Sequence, residues 1–205
     1  MPPRGFQSTE TTEIKKSRFI TTIARTDTES QARAVIADVR ALYPDARHHC
    51  MAFIIDDEGV RTARSSDDGE PSGTGGIPMM NALTQADLVN VTAVVTRYFG
   101  GIKLGASGLT RAYGGCVTQA TSAMPRVTRE VRTVWALAVP HNQGGRIQED
   151  LLRAGGTIVD VSYDDKSVRM RFTYPDDPDS LVSKITGGQA HLDRDCTQIV
   201  EVATS

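Results

Sequence analysis

The sequence predicts an α+β protein built from two mixed domains. Segments of helical and strand period alternate along the whole chain. The pattern is interrupted at Met124-Pro125-Arg126, where Pro125 stops a preceding helix. Glycine and charge also change across that point. The glycine clusters at 69–76, 100–108 and 114–115 all precede it. Residues 1–128 carry 14 basic and 13 acidic side chains, and residues 129–205 carry 9 and 12. Domains of 1–128 and 129–205 follow.

Each element has its own signal. Ser17–Ile23 alternates as a strand. Thr28 or Glu29 opens a helix to about Tyr43 that gathers Ala32, Val35, Ile36, Val39 and Leu42 on one face, and Pro44-Asp45 ends it. Arg47–Ile55 is a strand, Asp56-Asp57-Glu58-Gly59 a polar turn, and Val60–Ser65 its hairpin partner. A polar glycine loop leads to a helix over 77–86. Val91–Tyr98 reads as a buried strand, and a second glycine loop feeds a helix over 107–122. The order is β-α-β-β-α-β-α. Beyond the boundary come a strand at Arg132–Val139, a helix at Gly144–Ala154, and strands at Thr157–Tyr163 and Ser167–Tyr174. A short helix at Asp179–Thr186 and a strand at Asp195–Val202 complete a β-α-β-β-α-β series, the split βαβ or ferredoxin-like order.

Composition narrows the functional classes. The 205 residues are 39% hydrophobic and 23% charged, enough apolar material for a core. No apolar run reaches the ~18–20 residues needed to cross a bilayer. Met1-Pro2-Pro3-Arg4-Gly5 lacks the apolar stretch of a secretory signal. Cys50, Cys116 and Cys196 are odd in number and widely spaced, which argues against a disulfide scaffold or structural zinc. A soluble, cytoplasmic protein with reduced thiols and no membrane partner is expected. The net charge of −2 does not advertise nucleic-acid binding.

Chemistry concentrates in two loops. Ser65–Gly76 packs Asp67, Asp68 and Glu70 among hydroxyls and glycines and then enters a helix at Ile77-Pro78, a favoured place for proline. Its glycines, Gly73, Gly75 and Gly76 with Thr74 between them, let several N–H groups converge on an anion at the helix's positive end. The alternative is a connector capped by Thr74 or Ser72. The second loop, Arg97–Tyr113, also runs from strand through glycines into a helix. It supplies Arg97, Lys103 and Arg111, with Gly105, Ser107 and Gly108 at the helix start. A shared anion site and a pair of structural loops remain equally open.

Arg47-His48-His49-Cys50 places His48 and Cys50 on one strand face and Arg47 and His49 on the other. A Cys–His nucleophile needs a close base and an orienting carboxylate, and zinc needs further ligands. His48 and His49 read either as lining the anion site or as satisfied structural histidines. No metal or cofactor is expected. In the second domain Trp135 and the alternating strands read as core, and Asn142-Gln143-Gly144-Gly145-Arg146 as a glycine turn before a helix.

Asp67-Asp68-Gly69-Glu70-Pro71-Ser72-Gly73-Thr74-Gly75-Gly76, followed by Val94-Val95-Thr96-Arg97-Tyr98-Phe99-Gly100-Gly101-Ile102-Lys103-Leu104-Gly105, resembles the signature of the YigZ/IMPACT family. Lys16-Ser17-Arg18-Phe19-Ile20 and Arg47-His48-His49-Cys50 fit the same pattern. The resemblance covers about residues 10–125 strongly. It implies a first domain similar to the second domain of ribosomal protein S5. The second domain is implied to be ferredoxin-like, similar to one in translocating elongation factors. Both fold analogies point toward RNA or the translation machinery, and eukaryotic IMPACT acts in translational control.

The leading expectation is a non-catalytic, translation-related regulator. It would bind RNA or a ribosome-associated partner through Arg97, Lys103 and Arg111 and the glycine-loop amides. A rival is an enzyme or binding protein for a phosphate-bearing small molecule, because the S5-like fold is shared with metabolite kinases. There Asp67, Asp68 or Glu70 would act as base or Mg²⁺ ligand. A third is a protein-interaction module docking through the second domain's sheet.

Overall fold

The computed structural model describes residues 1–57 and 59–204. Glu58, in the expected polar turn, lies outside the described residues. The fold is mixed α+β with two antiparallel sheets, and the chain divides into two compact units, Met1–Thr128 with the segment from Ala203, and Arg129–Val202.

The first unit begins with β1 (Gln7–Ile14), β2 (Ser17–Arg25), α1 (Glu29–Leu42) and β3 (His48–Asp57). It continues through β4 (Val60–Ser66), α2 (Gly76–Gln85), β5 (Val91–Tyr98) and α3 (Ala106–Ser122). Its sheet runs β1-β2-β5-β3-β4, antiparallel at every pairing. Alternation splits the strands between two layers. Phe19 and Ile23 of β2, Cys50, Ala52 and Ile54 of β3, and Val91, Ala93 and Val95 of β5 pack with Met79 and Leu83 of α2 and with Leu109, Tyr113 and Val117 of α3. Phe53 and Ile55, one residue out of phase in β3, join Ala32 of α1 in a separate cluster. The Phe19 and Tyr113 rings meet edge to face at 5.4 Å.

The strand β1 is a departure from expectation. Its sequence, Gln-Ser-Thr-Glu-Thr-Thr-Glu-Ile, alternates only between exposed and half-buried positions. It offers no apolar face before Ile14, and only its pairing with β2 reveals it. The hairpin closes through Lys15 and Lys16, both in the left-handed region at φ 47° and 62°. Gly100 permits that turn to close against the second glycine loop. A β-carbon there would lie 1.8 Å from the Lys16 carbonyl oxygen.

The second unit holds most of β6 (Val127–Pro140) and β9 (Leu192–Ala203), with α4 (His141–Arg153), β7 (Thr157–Tyr163), β8 (Ser167–Thr173) and α5 (Asp179–Thr186) between them. Its sheet order is β7-β8-β6-β9. Leu137, Val139, Met170 and Phe172 pack with Ile147 and Leu151 of α4 and with Val182 of α5, and Trp135 lies against this cluster. The expected glycine turn at 142–146 is instead the first part of α4. Gly144 lets α4 pack closely there, since a β-carbon would lie 3.1 Å from Val168 Cγ2. Gly187, left-handed at φ 64°, ends α5. Among the described residues no helix is long and apolar enough to cross a membrane.

Candidate functional site

The first glycine loop holds an anion of its own. Asp67 Oδ1 accepts the N–H groups of Gly75 and Gly76, and Oδ2 accepts that of Gly73, all at 2.8 Å. Burial works to raise the Asp67 pKa, but these three amides outweigh it and hold the carboxyl below its ordinary value. The amides expected to face an outside anion therefore surround Asp67, at the positive end of α2. Neither Thr74 nor Ser72 caps the helix; Gly75 is the N-cap residue, and the Thr74 hydroxyl donates to the Pro71 carbonyl at 2.6 Å. Close packing demands glycine here, since β-carbons on Gly75 and Gly76 would meet Cys50 Sγ at 2.5 Å and Ser66 N at 2.7 Å.

The other two carboxylates are also engaged. Asp68 Oδ2 accepts the His49 amide at 2.7 Å, and Oδ1 pairs with the Arg40 guanidinium. Glu70 is buried, and its Oε1 accepts from Arg97 Nη1 at 2.7 Å and from the Tyr113 hydroxyl at 2.8 Å. This contact ties the first loop to β5 and α3, so the two glycine loops meet in space. Arg97 is itself spoken for, with Nη2 also directed at Ser17 Oγ. Cys50 Sγ donates to the Asp67 carbonyl, and burial pushes the thiol pKa up to about 12, so it stays a protonated core residue. His49 Nδ1 meets Thr96 Oγ1 at 2.9 Å, and burial lowers its pKa. Among the described residues no three His, Cys, Asp or Glu side chains gather to hold a metal.

A cavity of about 590 Å³ opens beside this framework. Pro71 of the first loop forms one wall and Lys103–Ala106 of the second another, with Arg47, His48 and Phe99 completing it. His48 Nδ1 donates to the Asp68 carbonyl at 2.9 Å, which fixes the ring against the first loop. The helix α3 starts at this cavity. Gly105 precedes it at φ 73°, with no side-chain cap and no acidic residue in the first turn. The contrast with α2, whose amides hold Asp67, is direct. Phe99 is 59% exposed at the rim. Asp45 is the acidic residue in the lining.

Of the expected residues, His48, Arg97, Lys103 and Gly105 come together at the cavity, and exposed Ser107 sits in the first turn of α3. Arg111 does not line it. With Gly108 it lines a neighbouring cavity of about 200 Å³. Arg47 and Phe99 escaped assignment from sequence. Their signal was a base and an aromatic beside the glycine-flanked strand ends, legible once β3 and β5 are seen to pair His48 with Arg97. Arg33, Arg40, Arg61 and Arg64 on the rest of this unit are ion-paired. Among the described residues Arg47 and Lys103 have no ion pair.

The model of the Impact N-terminal domain matches residues 15–121, a span holding both glycine loops and every residue named around the cavity. The chain belongs to the IMPACT family. IMPACT family member YigZ of Escherichia coli K12 is 43% identical over 152 residues, 74% of each chain. IMPACT family member YvyE of Bacillus subtilis 168 is 38% identical over 150 residues, 73% of this chain and 69% of its own. A crystal structure of a hypothetical protein, 38% identical, covers 94% of both chains with a TM-score of 0.57.

Proposed function

We propose that this IMPACT-family protein is a non-catalytic, translation-related regulator of the cytoplasm that binds RNA, free or held by a ribosome-associated partner, in the 590 Å³ cavity. The observation that carries this reading is the uncapped start of α3 at a cavity also lined by Arg47 and Lys103, which have no ion pair among the described residues. Phosphate suits that position because the helix end presents amides and partial positive charge. The exposed Phe99 ring offers an unpaired base a stacking surface. Arg97 serves as wall and brace, so phosphate contact falls to Arg47 and Lys103. The internal partners of Asp67, Asp68 and Glu70 leave them poorly suited to act as base or metal ligand. A translation role rests on the family resemblance. We further assign residues 1–128 as an S5-domain-2-like Impact N-terminal domain. Residues 129–205 are assigned as a ferredoxin-like domain of elongation-factor type, a reading supported by the β7-β8-β6-β9 order.

A second reading has its own support. The cavity volume falls in the ~300–1,000 Å³ range of small-molecule sites, so a phosphate-bearing metabolite fits the same cations. Fluorescence anisotropy with labelled hexauridylate, beside the same measurement with a labelled ATP analogue and Mg²⁺, separates the two. RNA binding should weaken steeply between about 50 and 200 mM salt, with a log–log slope smaller by about 0.7 in Lys103→Ala. Arg61→Ala, distant and paired with Asp56, should leave it unchanged. ATP binding without RNA binding selects the metabolite. Salt-independent RNA affinity overturns the phosphate contacts.

A further inference from the structure

A second concavity adjoins the first. Leu104 lines both, and the smaller one, about 200 Å³, is walled by Ile14, Lys15, Gly108, Arg111 and Ala112. Its two charged groups are both cations, and among the described residues neither Lys15 nor Arg111 has an ion pair. Two like charges carried by the walls of one hollow repel, and an anion between them offsets that repulsion.

The turn that presents Lys15 points the same way. A two-residue hairpin with both residues at positive φ is normally built from Asn-Gly or Asp-Gly, because a β-carbon is disfavoured in the left-handed region. Here both positions are lysines, and both are exposed. The second lysine's carbonyl is packed against Gly100, and the Gly100 amide donates to Ser17 Oγ at 3.2 Å. The hairpin tip is thus fixed to the loop that carries Lys103. The turn thus presents lysine side chains at positions where asparagine or glycine would carry less strain.

We propose that the Lys15–Arg111 hollow is a second phosphate subsite, taking the phosphate next to the one held by Arg47 and Lys103. The ligand is then a single-stranded RNA of at least two linked phosphates rather than a mononucleotide. Leu104 forms the apolar ridge that the sugar crosses between the two subsites. This inference rests on the RNA reading of the larger cavity.

The test compares hexauridylate with uridine 5′-monophosphate on the full chain, using wild type, Lys103→Ala, Arg111→Ala and Lys15→Asn. The asparagine variant removes the charge while relieving the left-handed strain. It should therefore melt about 2–4 °C higher for each kcal/mol of relief, and any lost affinity cannot be ascribed to misfolding. The expected result is a hexauridylate salt slope smaller by about 0.7 in Lys15→Asn and in Arg111→Ala, with affinity losses for hexauridylate exceeding those for the monophosphate. If Lys103→Ala weakens hexauridylate while Lys15→Asn and Arg111→Ala keep the full affinity and slope, the second subsite is wrong and the larger cavity keeps its role. If wild type binds hexauridylate no more tightly than the monophosphate, the polynucleotide assignment falls. If it binds neither at low salt, the reading beneath it fails as well.

Discussion

Replacing Glu70 with alanine leaves the Arg97 guanidinium in the core without its carboxylate. The pair lies 2.7 Å apart with the side chains 8% and 4% exposed, so solvent replaces the lost carboxylate poorly even though Arg97 forms part of the cavity wall. Breaking a buried pair by deleting one member costs about 3–5 kcal/mol. The Tyr113 hydroxyl loses its Glu70 acceptor too and keeps only the Cys50 sulfur beside it, a further cost of about 1 kcal/mol. A loss of about 4 kcal/mol or more follows, and with m near 1–3 kcal/mol/M it lowers the urea midpoint by at least about 1 M. Unfolding in urea, followed by far-ultraviolet circular dichroism, measures this directly. The double variant Glu70→Met with Arg97→Met is the control, because apolar side chains of similar volume often match a buried pair. It also removes Arg97 Nε, which is buried with no hydrogen-bond partner among the described residues. A single-variant loss below about 1 kcal/mol, or a double variant as unstable as Glu70→Ala, refutes the reasoning.

Three further outcomes are expected. Asp67→Ala should cost about 1–2 kcal/mol at neutral pH by uncovering the start of α2. Because the folded-state pKa of Asp67 is depressed, that stability is present above the unfolded value of ~3.9 and lost as pH falls through the folded pKa. The gap from wild type in chemical denaturation should therefore close in acid, and a gap independent of pH removes the carboxylate from the account. Iodoacetamide at pH 8 should modify exposed Cys196 and spare Cys50, whose pKa near 12 keeps it a thiol; equal labelling by mass spectrometry contradicts its burial. Gly115→Ala, in open space on α3, should raise stability by up to about 1 kcal/mol, whereas Gly100→Ala should lower it by about 1–3 kcal/mol. Thermal melts showing the two alike overturn the close approach of the hairpin.

Much of this fold was legible because its elements announce themselves through apolar period. Phe53 and Ile55 on one face of β3, against Cys50, Ala52 and Ile54 on the other, follow from alternation alone. The α1 start was narrowed to Thr28 or Glu29, and the structure makes Thr28 the cap, its side chain accepting the Gln31 amide. What escaped was β1, whose polar residues show no face until they pair, and the first turn of α4, where Asn142–Arg146 contains two glycines yet stays helical. Local propensity cannot see a partner strand or a packed Val168.

The site divides the same way. Sequence alone determined that two glycine loops would enter two helices with carboxylates on one and bases on the other, since spacing and residue type are local properties. Only the tertiary structure decided which groups are already spent. Asp67 turned back to fill its own helix's amides, Glu70 reached across to Arg97 and Tyr113, and Arg111 faced a different hollow from Lys103. The reason is that a charge's availability depends on what lies within about 4 Å of it. For Glu70 that meant groups 27 and 43 residues away in the chain, beyond the reach of any local pattern.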